Sequence, residues 1–220
     1  MSAQPPGLVI FDCDGVLVDS EPIANRVFAR MLAEQGLVLT QAQMFELFVG
    51  RTMAHCLALA AERLGRPLPA DFEDEHDRRL FAALAAELLP VPGVAQVLDA
   101  LAVPYCVASN GAPDKLRFSL RQTGLLPRFE GRVFSAVEVA RGKPAPDLFL
   151  HAARRLGVAP ATCVVVEDSP AGVAAGVAAG MTVLGFAAGT PPARLHEAGA
   201  HRLFTRMGEL PALLGVPVSA

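Results

Sequence analysis

Residues 8–20 read LVIFDCDGVLVDS, and this stretch decides the fold. Its apolar run, Leu8 to Phe11, is typical of a buried parallel strand. Two acids, Asp12 and Asp14, follow at once and place charge at the carboxyl edge of a sheet, where open α/β folds bind ligands. Carboxylates this close in the chain repel each other unless a cation or a proton lies between them. The alternative interpretation is a solvated turn after the strand.

Three later segments also place polar residues next to apolar runs or turns. They are Ser109-Asn110-Gly111, Lys143 in GKPAPD, and Glu167-Asp168 in VVVEDSPAG. Each has a structural alternative: a helix cap for the first, a solvated loop lysine for the second and a helix N-terminus for the third. Together they favour a functional site, because several carboxylates at one sheet edge need a lysine and a metal to balance their charge.

These residue types suit phosphoryl transfer, which needs an oxygen nucleophile, neutralisation of the phosphoryl charge and an acid for the leaving group. Asp12 is the candidate nucleophile, and Asp14 is the candidate general acid and base. The candidate ligands of a Mg²⁺ ion are Asp12, Asp14 through its backbone carbonyl, Glu167 and Asp168. The candidate phosphate-binding residues are Ser109, Asn110 and Lys143.

The four segments resemble, in order, the four motifs of the haloacid dehalogenase-like (HAD) hydrolases, and they span residues 8–172. DCDGVLVDS, for example, is similar to the first motif, DxDG[TV]. The resemblance implies a Mg²⁺-dependent phosphatase that forms an aspartyl-phosphate. The stretches FDCDGVLVDSEP, PYCVASNG and KPAPDLFLHAA are most similar to the β-phosphoglucomutase-like group, and within it to bacterial phosphatases of the sugar acid 6-phosphogluconate.

Two other functions stay open at this point. A sugar phosphomutase of the β-phosphoglucomutase type is disfavoured, because those enzymes carry a histidine ten residues after the second Asp, where this chain has Ala24. A non-catalytic phosphosugar-binding relative is disfavoured by the presence of all four motifs. Dehalogenation is disfavoured by Asp14, since a halide leaves without a proton.

The length of the chain suits one good-sized domain, or one domain with a smaller insert. The chain has 220 residues, 19 Lys+Arg against 22 Asp+Glu, and no apolar run long enough to span a membrane. Its four scattered cysteines indicate reduced thiols and a cytoplasmic location. We expect a small phosphorylated metabolite as the partner, no nucleic acid and no membrane, and a monomer, with a dimer as the alternative.

The order of the predicted elements indicates an α/β fold, a doubly wound parallel-sheet (Rossmann-like) HAD core with an inserted all-helical cap domain. We predict the core at residues 1–19 and 92–220 and the cap at residues 20–91, where four amphipathic helices lie between the first two motifs. A cap of this kind contacts the part of the substrate that does not react. The candidate substrate contacts in it are Glu21, Asn25, Arg51 and Arg79.

Overall fold

The structure, a computed structural model, describes residues 5–48 and 53–216, with the side chain of residue 45 excepted. Arg51, one of the predicted substrate contacts, lies outside the described residues. The chain divides into two compact units, one made of Met1–Asp19 and Leu89–Ala220 and the other of Ser20–Leu88.

The first unit is built on a six-stranded sheet in which neighbouring strands are parallel. The strands are β1 (Leu8–Phe11), β2 (Tyr105–Ser109), β3 (Val133–Ser135), β4 (Cys163–Glu167), β5 (Thr182–Phe186) and β6 (Arg202–Phe204). They lie in the order β3-β2-β1-β4-β5-β6. This arrangement confirms the predicted doubly wound parallel sheet.

The helices alternate with these strands in the first unit and follow one another directly in the second. The second unit contains α1 (Glu21–Glu34), α2 (Gln41–Phe48), α3 (Met53–Leu64) and α4 (Phe72–Glu87). The first unit contains α5 (Val94–Ala100), α6 (Pro113–Gln122), α7 (Asp147–Arg155), α8 (Pro170–Ala178), α9 (Pro192–Glu197) and α10 (Leu210–Leu213).

The core of the sheet unit explains the long apolar runs of its strands. All four residues of β1 are fully buried, as expected for a central strand that is covered on both faces. Ile10 of β1 and Val165 of β4 belong to one hydrophobic cluster with Phe149 of α7 and Ala175 of α8. The apolar faces of these helices therefore pack against the centre of the sheet.

The strand order creates a switch point between β1 and β4. From β1 the chain adds β2 and β3 on one side of the sheet, and then crosses to add β4, β5 and β6 on the other. Phe11 pairs with Val166, and the Asp12 N–H donates to the Val166 carbonyl at 3.0 Å. Asp12 and Glu167 therefore end adjacent strands at the switch point, where folds of this kind bind ligands.

The helical unit has a hydrophobic core of its own. Phe28 of α1 lies at its centre and meets the rings of Phe48, Phe72 and His76 edge-on, with centroids 5.1, 6.3 and 5.6 Å away. Leu32 and Ala60 are fully buried in the same cluster. Burial of these side chains accounts for the amphipathic pattern of the helices.

The two chain crossings between the units are hydrogen bonded to each other. The Asp19 N–H donates to the Leu89 carbonyl at 3.0 Å, and the Val91 N–H donates to the Leu17 carbonyl at 3.0 Å. These bonds tie residues 89–91 to the sheet unit, so the helical unit ends at Leu88 and not at residue 91.

Two further features concern the helices and the cysteines. In residues 5–48 and 53–216, none of the helices combines the length and the hydrophobicity that a membrane crossing requires. All four cysteines are buried free thiols.

Candidate active site

Lys143 lies at the centre of a buried ion cluster at the carboxyl ends of β1 and β4. Its Nζ donates to Asp12 Oδ1 at 2.8 Å and to Glu167 Oε1 at 2.6 Å, and its side chain is only 4% exposed. The ammonium group also lies over the ring of Phe149, 4.9 Å from its centroid. Lys143 is therefore not the solvated loop lysine of the alternative interpretation.

The charges in this cluster are strongly coupled. Burial lowers the pKa of Lys143, but the carboxylates of Asp12 and Glu167 outweigh that effect and raise it, so the lysine is held charged. Burial raises the pKa of Asp12 to about 7; Lys143 opposes this rise, while Glu167 and Asp14 add to it. One lysine therefore does not neutralise the carboxylates around it.

Asn110, after β2, fixes the loop that carries Lys143. Its side-chain amide donates to the Lys143 carbonyl at 3.0 Å, and its Oδ1 accepts from the Lys143 N–H at 2.9 Å. The side chain of Asn110 therefore positions Lys143, and its role in phosphate binding stays a prediction.

Ser109, at the end of β2, is buried beside a hydrogen-bonded turn. Its Oγ accepts from the Gly111 N–H at 3.2 Å, and the Gly111 carbonyl accepts from Ser135 Oγ at 2.7 Å. The turn is therefore held by side chains of two adjacent strands, β2 and β3.

Glu167 is fully buried, and both of its oxygens accept hydrogen bonds. Oε1 binds Lys143, while Oε2 accepts from the Ser169 N–H at 3.1 Å and from Ser169 Oγ at 2.9 Å. Ser169 also caps α8, since its Oγ accepts from the Gly172 N–H at 3.0 Å. The helix N-terminus proposed as an alternative for this segment exists, and it serves to hold Glu167.

Asp12, Glu167 and Asp168 form a possible metal site. One carboxylate oxygen from each lies within 4.8 Å of the others. Gly15 makes this approach possible: it has φ of 77°, and a Cβ on it would overlap the Asp168 carboxylate. Carboxylate oxygens are the ligands that Mg²⁺ prefers. When ionised, the three carboxylates carry two more charges than the Lys143 ammonium neutralises, and a divalent cation would balance them.

Asp14 forms an ion pair that the sequence analysis did not predict. Lys115 Nζ donates to Asp14 Oδ2 at 2.9 Å, across 101 residues of chain. The two side chains are 28% and 17% exposed, so the pair is partly sheltered from water. The backbone around Asp14 turns tightly, because the Gly15 N–H donates to the Val18 carbonyl at 2.8 Å.

The predicted substrate contacts of the helical unit do not lie together. Glu21 and Asn25 lie in the first two turns of α1. Arg79 is bound to Glu34, at the other end of α1, at 2.7 Å, and to Glu75 at 2.6 Å. Glu21 and Glu34 are thirteen positions apart on α1, which corresponds to a distance of roughly 20 Å along the helix.

Three residues of the site were missed by the sequence analysis. The sequence does single out Lys115, because the chain has 17 arginines and only two lysines, and the other lysine, Lys143, lies in a motif. Ser169 was visible as a helix cap before Pro170, but not as a partner of Glu167. Gly172 had no signal apart from its being a glycine in the first turn of α8.

Gly172 gives a stability prediction, because a Cβ there would overlap the Glu167 carboxylate. Gly172→Ala should displace this buried group from Lys143 and Ser169 and lower the free energy of unfolding by about 1–3 kcal/mol, the usual cost of overpacking. In an open helical position the same change stabilises by up to about 1 kcal/mol. The control is Gly208→Ala, which has no atom near its added methyl group. Equal denaturation midpoints for the two variants in urea would contradict the prediction.

Comparisons with known proteins agree with this geometry. The model of the haloacid dehalogenase-like hydrolase family matches residues 6–180. The chain is 37% identical to the 6-phosphogluconate phosphatase of Escherichia coli (strain K12) over 182 residues, 82% of each chain. It is 34% identical to Hexitol phosphatase A of the same organism over 197 residues, 86% of each.

A solved structure is also similar along the whole chain. It is a HAD family hydrolase from Deinococcus radiodurans R1 with bound phosphate and sodium, 38% identical, with a TM-score of 0.83 over 96% of each chain. The family match covers most of the chain and includes the four motifs. This chain therefore belongs to the haloacid dehalogenase-like hydrolases and is an enzyme of that family.

Proposed function

We propose that this protein is a Mg²⁺-dependent phosphatase that hydrolyses small sugar or sugar-acid phosphate monoesters through an aspartyl-phosphate on Asp12. The observation that carries the proposal is the Lys143 ammonium, which is bound to Asp12 at the end of β1 and to Glu167 at the end of β4. That cluster joins a carboxylate nucleophile to a fixed positive charge at the switch point of the sheet.

In the first step Asp12 attacks phosphorus. Lys143 holds Oδ1 of Asp12 and thereby orients the carboxylate, so that Oδ2 can form the new P–O bond. The Lys143 ammonium, the Ser109 hydroxyl and backbone N–H groups of the turn after β2 offset charge on the phosphoryl oxygens. The bond from phosphorus to the ester oxygen breaks, and the leaving alkoxide takes a proton from Asp14.

In the second step water attacks the same phosphorus. The Asp14 carboxylate accepts a proton from that water as its oxygen bonds to phosphorus, and the bond to Asp12 breaks. Asp12 is regenerated as a carboxylate and inorganic phosphate is released. Asp14 has then returned to its protonated form, ready for the next ester.

The metal site fits Mg²⁺ by its donor set and by its charge. We propose that the side chains of Asp12 and Asp168 and the backbone carbonyl of Asp14 hold the ion. Glu167 is the weaker candidate for direct binding, since both of its oxygens already accept hydrogen bonds. A bound Mg²⁺ neutralises charge on phosphoryl oxygens and on the attacking carboxylate.

The metal proposal predicts how Mg²⁺ affinity responds to substitution and to pH. Asp168→Ala should weaken binding at least roughly tenfold, because it removes a charged ligand. Mg²⁺ affinity of the unaltered protein should also fall as the pH is lowered below about 7, because protons compete for Asp12. Calorimetric titration without substrate measures both effects. Full turnover in excess chelator would contradict the proposal.

The substrate class rests on chemistry and on relatives. Two similar proteins are named 6-phosphogluconate phosphatase and Hexitol phosphatase A, which supports a phosphorylated sugar acid or sugar alcohol as the substrate. We propose that the helical unit is the cap that selects the substrate, with Glu21 and Asn25 as contacts to its hydroxyls. A cytoplasmic location suits such a metabolite and the four free thiols.

A panel of phosphorylated metabolites with Mg²⁺ tests the function. We expect release of inorganic phosphate, fastest from sugar or sugar-acid phosphates. An isomerised sugar phosphate without free phosphate would instead indicate a mutase, and binding without turnover would indicate a phosphosugar-binding protein. Preference for nucleotides or phosphoproteins would overturn the substrate class and leave the phosphatase proposal standing.

A further inference from the structure

The lysines of this chain have an unusual distribution. The sequence has 17 arginines and only two lysines, Lys115 and Lys143. Both lysines bind carboxylates that end or follow β1: Lys143 binds Asp12, and Lys115 binds Asp14. The proposed function gives a role to Lys143 and none to Lys115.

The helix that carries Lys115 does not explain why a lysine is present at this position. Lys115 is the third residue of α6, so its charge lies in the first turn, near the positive end of the helix dipole. A cation at that position is unfavourable, whereas the acidic Asp114 beside it is favourable. Lys115 forms an ion pair with Asp14, which lies within reach because β1 and β2 are adjacent strands.

The orientation of the Asp14 carboxyl group depends on its backbone and on its ion pair with Lys115. Its backbone is fixed, because the Leu17 N–H donates to the Cys13 carbonyl at 2.9 Å and the Gly15 N–H donates to Val18. The side chain still has two rotatable bonds, and the ion pair with Lys115 holds its Oδ2 in place. Proton transfer requires the acid within about 3 Å of the ester oxygen, so this orientation bears on the rate.

We propose that Lys115 is a positioning residue for the acid/base Asp14: by binding Oδ2 it holds the carboxyl group in the orientation that transfers the proton. The inference rests on the proposed function, because it takes Asp14 as the proton donor. In this proposal Lys115 acts through Asp14 and not directly on the phosphoryl group.

Kinetics with two esters test this role. Lys115→Gln keeps an amide donor but removes the charge. In single-turnover measurements it should slow the first step with a sugar phosphate roughly 10- to 100-fold, the effect of misplacing a catalytic group by about 1 Å. With an aryl phosphate, whose leaving group needs little protonation, the loss should be less than about threefold. KM should stay within about twofold, and Lys115→Arg should restore most of the rate.

A matched control separates position from charge. Arg117→Gln removes one positive charge from the exposed face of the same helix and should leave both rates unchanged. An equal loss for the two esters, or a loss confined to KM, would overturn the positioning role. So would a Lys115→Gln enzyme with the rate of the unaltered protein.

A crystal structure of the Lys115→Gln protein gives a readout that does not depend on turnover. We expect the Asp14 carboxylate to rotate away from its position beside residue 115 while the backbone of residues 13–18 stays in place. An unmoved carboxylate would overturn the inference. If the unaltered protein hydrolyses neither ester, the proposed function fails, and the crystal structure still decides whether Lys115 orients Asp14.

Discussion

Asp12→Asn should lower phosphate release from every ester by roughly 10⁴- to 10⁶-fold, the loss expected when a nucleophile is removed. An amide oxygen does not form the phosphoryl ester that a carboxylate forms, so the loss should be the same for alkyl and aryl phosphates. Rapid-quench and steady-state assays with Mg²⁺ measure it. A variant that kept a tenth of the original activity would exclude Asp12 as the nucleophile.

The same substitution should leave the fold intact. Asn has nearly the volume of Asp, and the ion pair of Lys143 with Glu167 remains to balance the buried charge. Because burial raises the pKa of Asp12 to about 7, an ionised Asp12 is costly in the metal-free protein. The variant should therefore be at least as stable without metal, as thermal unfolding measures. Asp12→Ala serves as a second variant, because an alanine cannot revert to aspartate by deamidation.

The sheet and the ion cluster at its carboxyl edge could be predicted because each strand and its terminal acid form a local pattern in the sequence. A buried parallel strand reads as an apolar run, and β1 and β4 both end in acids. Parallel strands bring their carboxyl ends to one edge, so the sequence predicts that Asp12 and Glu167 lie near one another, with Lys143 to balance their charge. The contacts of Lys143 with both acids meet that expectation.

Other features depend on long-range packing that no local pattern reveals. The pair of Lys115 with Asp14 joins residues 101 positions apart, and the use of the Asn110 amide on the Lys143 backbone joins residues 33 apart. The overlap that a Cβ at Gly172 would cause depends on where the Glu167 carboxylate lies. Likewise, the sequence could not show that Arg79 is bound to glutamates at the far end of α1.

Lys143→Met should damage both stability and activity. It leaves the carboxylates of Asp12 and Glu167 buried without their cation, which typically costs about 3–5 kcal/mol. Adding Glu167→Gln removes one of these charges and should recover much of the stability, but not the activity, because Asp12 and the phosphoryl group still lack their cation. Urea unfolding and phosphate release measure the two properties separately. Recovery of activity in the double variant would contradict the role of Lys143 in catalysis.

Lys115, the other lysine, provides the matched control for the loss of stability. Lys115→Met breaks a partly exposed ion pair and should lower the free energy of unfolding by at most about 1 kcal/mol.

The stability of the metal-free protein should also depend on pH through Asp12. Its folded-state pKa is about 7, above its ordinary value of 3.8, so between these pH values the folded protein binds a proton that the unfolded chain does not. The free energy of unfolding therefore falls as the pH rises from about 4 to 7. Lys143 lowers that pKa, so its removal should raise it further and extend the loss of stability to pH values above 7. A Lys143→Met protein that became more stable between pH 5 and 8 would show that Asp12 does not carry the uncompensated charge.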